Sequence, residues 1–117
     1  VVIGRKDYLP MHEIIMYGWY GRHKMERSKG KSVIVHPKPA SSKLHPTMKP
    51  VGLLRKIIPN GTKVGEVVYD PFGGSGSTLM ACEHLGRACL MVELDPAYVA
   101  TIIARWEKLT GKTAEKV

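Results

Sequence analysis

The sequence predicts an α/β fold, half of a doubly wound parallel sheet covered by helices. Two observations carry that prediction. From residue 50 onward the apolar pattern runs helix, strand, helix, strand, helix, the order of parallel strands joined by crossovers. Gly61, Gly86 and Gly111 fall where each helical pattern stops.

The elements follow in chain order. Residues 12–20 are rich in β-formers and read as a strand, followed by a polar, basic loop over 21–31. Residues 32–36 form a second short strand candidate. Three prolines and the Ser41-Ser42 pair make 37–46 an extended connector. Pro50 opens a helix whose apolar positions are Val51, Leu53, Leu54, Ile57 and Ile58, and Pro59-Asn60-Gly61 ends it. Residues 66–70 read as a buried strand, Ser77 to Leu85 as a helix stopped by Gly86, and 88–93 as a second buried strand. Asp95 caps a last helix with Pro96 in its first position. Tyr98, Val99, Ile102, Ile103, Trp106 and Leu109 make its inner stripe, and Gly111 closes it.

Composition narrows the class. The 117 residues suffice for one small core. No apolar run approaches the roughly 20 residues that span a bilayer, and the start is too short in apolar residues for a signal peptide. A first residue of Val rather than Met reads as a piece of a longer chain. Cys82 and Cys89 match neither a metal spacing nor a disulfide framework, so no metal is expected and a reduced, cytoplasmic setting is. Net charge is +8 but uneven: residues 1–63 carry 13 Lys/Arg against three acids, residues 64–117 five against seven. The first half is suited to a polyanion, although a lysine-rich solvated loop has the same composition.

The chemistry concentrates after the first buried strand. Asp70 and Glu93 end neighbouring strands, where open parallel sheets bind ligands. Gly73, Gly74 and Gly76 in the intervening turn admit a close backbone approach. A phosphate-binding P-loop is excluded because no Lys lies between Gly73 and Thr78, and the dinucleotide fingerprint fails because its third glycine is missing.

The run Asp70-Pro71-Phe72-Gly73-Gly74-Ser75-Gly76-Ser77-Thr78 resembles the cofactor motif of DNA N4-cytosine/N6-adenine methyltransferases. His45-Pro46-Thr47-Met48-Lys49-Pro50 resembles the segment that precedes it in the β group of that family, and Glu93 matches the family's ribose-binding acid. Residues 45–111 carry the resemblance; residues 1–44 share it only through Asp7-Tyr8 and His12-Glu13.

The resemblance implies the C-terminal part of a Rossmann-like, S-adenosylmethionine-dependent methyltransferase fold. Residues 45–117 form the cofactor-binding part and residues 1–44 a basic, DNA-facing part. It implies Asp70 for the cofactor's ammonium and Thr47, with the helix start after Pro50, for its carboxylate. Glu93 takes the ribose diol, and Phe72 offers a ring face to the sulfonium or adenosine. Ser75, Gly76, Ser77 and Thr78 fill the turn and cap the next helix, and Lys49 faces either phosphate or solvent. The implied partner is double-stranded DNA, contacted by Arg22, Lys24, Arg27, Lys29 and Lys31 with Lys38 and Lys43 nearby; no membrane is implied, and a homodimeric parent stays open.

One family motif is missing. No two prolines are adjacent, so the catalytic Asp/Asn/Ser-Pro-Pro-aromatic tetrapeptide is absent. In the β group that motif precedes the cofactor turn, so its place is in a missing N-terminal part, and no catalytic residue is assigned. Asp95-Pro96-Ala97-Tyr98 is no substitute, because it starts a helix and Tyr98 falls on the apolar stripe. The expectation is a cofactor-binding portion of an enzyme that flips a base and methylates adenine N6 or cytosine N4, inactive alone, with or without a restriction partner. The rivals are a non-catalytic basic DNA-binding module with a vestigial cofactor turn, and an RNA or small-molecule methyltransferase.

Overall fold

The computed structural model describes residues 11–23, 25–26, 30–37 and 48–117. Three helices and two strands follow one another as α1 (Val51–Gly61), β1 (Val67–Asp70), α2 (Ser77–Leu85), β2 (Ala88–Met91) and α3 (Pro96–Thr110). β1 and β2 pair in parallel, Val67 opposite Ala88 through Asp70 opposite Met91. α2 is the crossover between them; it packs on β2 and is flanked by α1 and α3. Met80, Ala81 and Cys82 of α2 and Ile102 of α3 form the buried apolar core.

Local chemistry sets the element ends. The Pro50 carbonyl accepts from Leu53 and Leu54 and so begins α1. The predicted stop at Pro59-Asn60-Gly61 is refined: α1 runs through all three residues. Pro59 costs one backbone bond in the last turn but is the buried residue of the helix, so packing outweighs the loss. The Thr62 hydroxyl then donates to the Ile58 carbonyl at 2.7 Å. α2 ends at Gly86 in the left-handed region (φ 67°), with Arg87 N–H reaching back to the Cys82 carbonyl. The Asp95 carboxylate accepts from Ala97 N–H at 2.8 Å, Pro96 occupies the first position, and Gly111 (φ 70°) closes α3.

Three expectations are corrected. Residues 12–20 and 32–36 form no strand: residues 11–20 are exposed throughout, and no described strand lies beside them. A β-forming sequence gains its stability from cross-strand neighbours and stays unpaired without them. The strands after α1 and α2 are not buried on both sides. Val67, Tyr69, Ala88 and Leu90 share a face that α2 does not cover, and Tyr69 remains 63% exposed. On α3 only Ile102 of the predicted stripe is buried, because the helix meets the rest of the fold along a narrow seam. Tyr98 and Trp106 are half-buried, and Val99, Ile103 and Leu109 are exposed.

Basic-segment residues reach α1. Glu26 N–H donates to the Asn60 carbonyl at 2.9 Å, the Glu26 carboxylate pairs with Lys63 at 3.7 Å, and the His36 ring lies over Gly52, leaving no room for a Cβ. No described helix is long and apolar enough to cross a membrane. The thiols of Cys82 and Cys89 are free. Burial pushes both up, Cys89 to about 12. A thiol pKa raised by folding adds stability below its unfolded value and loses it as pH climbs through the folded one. Native protein at pH 8 should therefore react slowly with iodoacetamide and unfolded protein fast. Mass spectrometry of timed samples checks this, and equal rates in both states would refute it.

Candidate functional site

Parallel pairing brings the carboxyl ends of β1 and β2 together, and the site grows from that edge. Val92 N–H donates to the Asp70 carbonyl at 3.0 Å, and Gly73 N–H returns a bond to the Val92 carbonyl at 2.8 Å. The two loops are thereby stitched into one wall. Asp70 begins its turn by accepting from Phe72 N–H through Oδ1 at 3.0 Å, which aims the carboxylate over the turn. Glu93 meets it from the neighbouring loop. Its Oε2 accepts from Gly74 N–H at 2.6 Å and its Oε1 from Asp95 N–H at 2.9 Å.

The glycines are needed for space and for backbone angle. A Cβ on Gly73 would lie 2.7 Å from Met91 Cγ and Sδ. Gly76 sits at φ 82° and faces Ile102, whose Cγ1 would be 3.0 Å from an added Cβ. Gly76 is also the cap residue of α2 and supplies no side-chain bond, so the expected side-chain capping by Ser77 and Thr78 is replaced. The Ser75 and Ser77 hydroxyls instead approach each other at 3.5 Å. Behind the turn, Arg105 of α3 donates from Nη1 to the Ser75 carbonyl. Burial lowers the Arg105 pKa from its ordinary value.

These groups enclose a cleft of about 380 Å³. Asp70, Phe72, Gly73, Gly74 and Ser75 line it, as do Ser77, Thr78, Glu93 and Lys49. Gly76 stays behind the wall. Phe72 stands at the rim, 86% exposed. Lys49 pairs with the Glu13 carboxylate. Thr47, Lys24, Arg27, Lys29, Lys38 and Lys43 lie outside the described residues, whereas Arg22 and Lys31 are described and exposed. Sequence reading missed Met48 and Leu54, which complete the cleft, and Arg105. Leu54 carried only the signal of an apolar position on α1, and Arg105 carried none. Among the described residues no group of three His, Cys, Asp or Glu could hold a metal.

The cleft can take a cation against Asp70 and a hydroxylated group against Glu93, whose carboxylate oxygens are hydrogen-bond acceptors. Replacing Gly76 by Ala tests the wall. The left-handed backbone and the Ile102 contact together should cost roughly 1–3 kcal/mol, read as a lower melting temperature by circular dichroism.

A family model described as DNA methylase (N6_N4_Mtase) matches residues 6–104 of the chain. Type II methyltransferase M2.DpnII of Streptococcus pneumoniae is 40% identical over 63 residues, covering 54% of this chain and 24% of that protein. Type II methyltransferase M.HpaI of Haemophilus parainfluenzae is 35% identical over 65 residues, covering 56% and 21%. The crystal structure of the M1.HpyAVI–SAM complex superposes with a TM-score of 0.59 at 31% identity, over 70% of this chain and 43% of that one. TTHA0409, a putative DNA modification methylase of Thermus thermophilus complexed with S-adenosyl-L-methionine, gives 0.51 at 38% identity, over 52% and 25%. The chain thus spans about a quarter of its curated relatives or less.

Proposed function

Because the chain belongs to the DNA methylase family whose model it matches over residues 6–104, we propose that it is the S-adenosylmethionine-binding part of a DNA amino-methyltransferase. The target is the exocyclic amino group of adenine (N6) or cytosine (N4). In this reading residues 45–117 hold the cofactor and residues 1–44 face DNA. The observation that carries it is the meeting of Asp70, Glu93 and the glycine turn on one cleft at the ends of two parallel strands.

The residues fit the cofactor. The cleft volume lies within the range of small-molecule sites. Asp70 carries the negative charge an ammonium needs, Glu93 presents acceptors to a ribose diol, and Phe72 lies free at the rim. When bound, S-adenosylmethionine supplies an activated methyl group on its sulfonium. The chain's own residues would then orient it, Asp70 toward the ammonium and Glu93 toward the ribose, beside the close-packed turn. Holding the donor in one pose supplies much of the rate.

The test is titration calorimetry with S-adenosylmethionine and its demethylated product. Both should bind, and Asp70→Ala should weaken binding about tenfold or more, the worth of one charge-assisted bond. The chain alone should transfer no tritiated methyl to duplex DNA, since it has no adjacent prolines to form the catalytic tetrapeptide. Absence of any cofactor binding would instead favour a basic DNA-binding module with a vestigial turn.

The basic half gives the second test. Arg22, Lys24, Arg27, Lys29 and Lys31 are proposed to contact DNA phosphates, with Lys38 and Lys43 close in sequence. Charge reversal at Lys29 and Lys31 should weaken duplex binding by the enzyme at low salt for all sequences alike and flatten its salt dependence. Unchanged binding isotherms across a salt series would remove these residues from the interface.

A further inference from the structure

Glycine-rich turns bind ligands through peptide groups, and a peptide that leads into a glycine can flip. The Ser75–Gly76 peptide of the cofactor turn is at that risk, because Gly76 follows it at φ 82°. Both of its polar ends are nevertheless held. Gly76 N–H donates to the Gly73 carbonyl at 2.8 Å, and the Ser75 carbonyl accepts from Arg105, 30 residues along the chain.

Arg105 is suited to that task. It stands three residues after Ile102 on α3, on the same side of the helix. Ile102 fills the space that a Cβ on Gly76 would need. The apolar contact and the guanidinium therefore act on adjacent parts of one turn. Ser75 is itself 4% exposed, so a released carbonyl would lack solvent to replace the bond. A flip would turn that oxygen toward the cleft that Ser75 lines and remove the Gly76 amide from its bond. Arg105 lines no part of the cleft and so acts on the ligand only through the turn.

We propose that Arg105 is a positioning residue for the cofactor cleft: by holding the Ser75 carbonyl behind the turn, it keeps the Ser75–Gly76 peptide in the one orientation that can accept the ligand. This rests on the reading of the cleft as an S-adenosylmethionine site. Trp106, the next residue, provides the control. Its indole donates to the Glu83 carboxylate at 3.1 Å, so its hydrogen bond joins α3 to α2 rather than to the turn.

The experiment compares the 117-residue chain with Arg105→Met, Arg105→Lys and Trp106→Phe. Three quantities are read: S-adenosylmethionine affinity by calorimetry, amide exchange at Gly76 by nuclear magnetic resonance, and melting temperature. Arg105→Met should weaken affinity about tenfold and speed Gly76 exchange, and Arg105→Lys should fall between it and the parent. Trp106→Phe should lower the melting temperature and leave affinity and Gly76 exchange as they were. The proposal is overturned if Arg105→Met keeps parental affinity and exchange, or if Trp106→Phe changes both as much. Should Arg105→Met not fold, Arg105→Lys decides, and parental values for it overturn the proposal. A parent chain that binds no S-adenosylmethionine refutes the cofactor reading alone, and Gly76 exchange still decides the role of Arg105.

Discussion

The parallel register of β1 and β2 is the constraint on which the site depends. Asp70 lies opposite Met91, so the chain leaves both strands at the same level and on the same side. Val92 N–H can then reach the Asp70 carbonyl, and Gly73 N–H the Val92 carbonyl. A slip of one residue would turn Asp70 to the other face of the sheet and carry Glu93 away from the Gly74 amide. The acidic residues are thus placed by main-chain pairing, and their side chains only complete what the register arranges. That is why two carboxylates 23 residues apart in sequence can serve one cleft.

A second constraint acts from behind. The glycine turn is pressed against Met91 and Ile102, so its wall is as close to the core as a backbone can come. Close packing of this kind removes freedom from a segment whose composition would otherwise leave it loose. The same packing explains why Gly76 rather than a serine caps α2. A side chain there would meet Ile102 before it could bond to the helix. Ser75 and Ser77 are consequently buried within the turn, and α2 begins without side-chain help.

The legible parts of the sequence were those decided by neighbours along the chain. Asp95 with Pro96, and the glycines at 86 and 111, set helix ends through bonds that span a few residues, and the structure keeps each of them. The glycine turn was legible because its residue types admit few other uses. Residues 12–20 show the opposite case: their β-forming character requires a partner strand, and no described strand lies beside them. Pro59 stayed inside α1 because its burial was invisible to a rule about backbone donors. Arg105 left no signal in the sequence, since its partner is a carbonyl 30 residues away and only the fold brings them together.

The open sheet face bears on how the turn is held. Val67, Leu90 and Val92 are each more than half exposed, with Tyr69 beside them. Burying an aliphatic side chain fully contributes about 1.5–3 kcal/mol, so these positions withhold several kcal/mol from a fold whose total is of order 5–15 kcal/mol. A two-stranded sheet also needs packing on a helix to persist, and α2 supplies it on one side only. Core pressure on the cleft is therefore one-sided. What the missing pressure would otherwise do falls to directional bonds: Gly73 to Val92, Gly74 to Glu93, Gly76 to Gly73, and Arg105 to Ser75. Each fixes one peptide of the turn, and together they define its shape from within the chain.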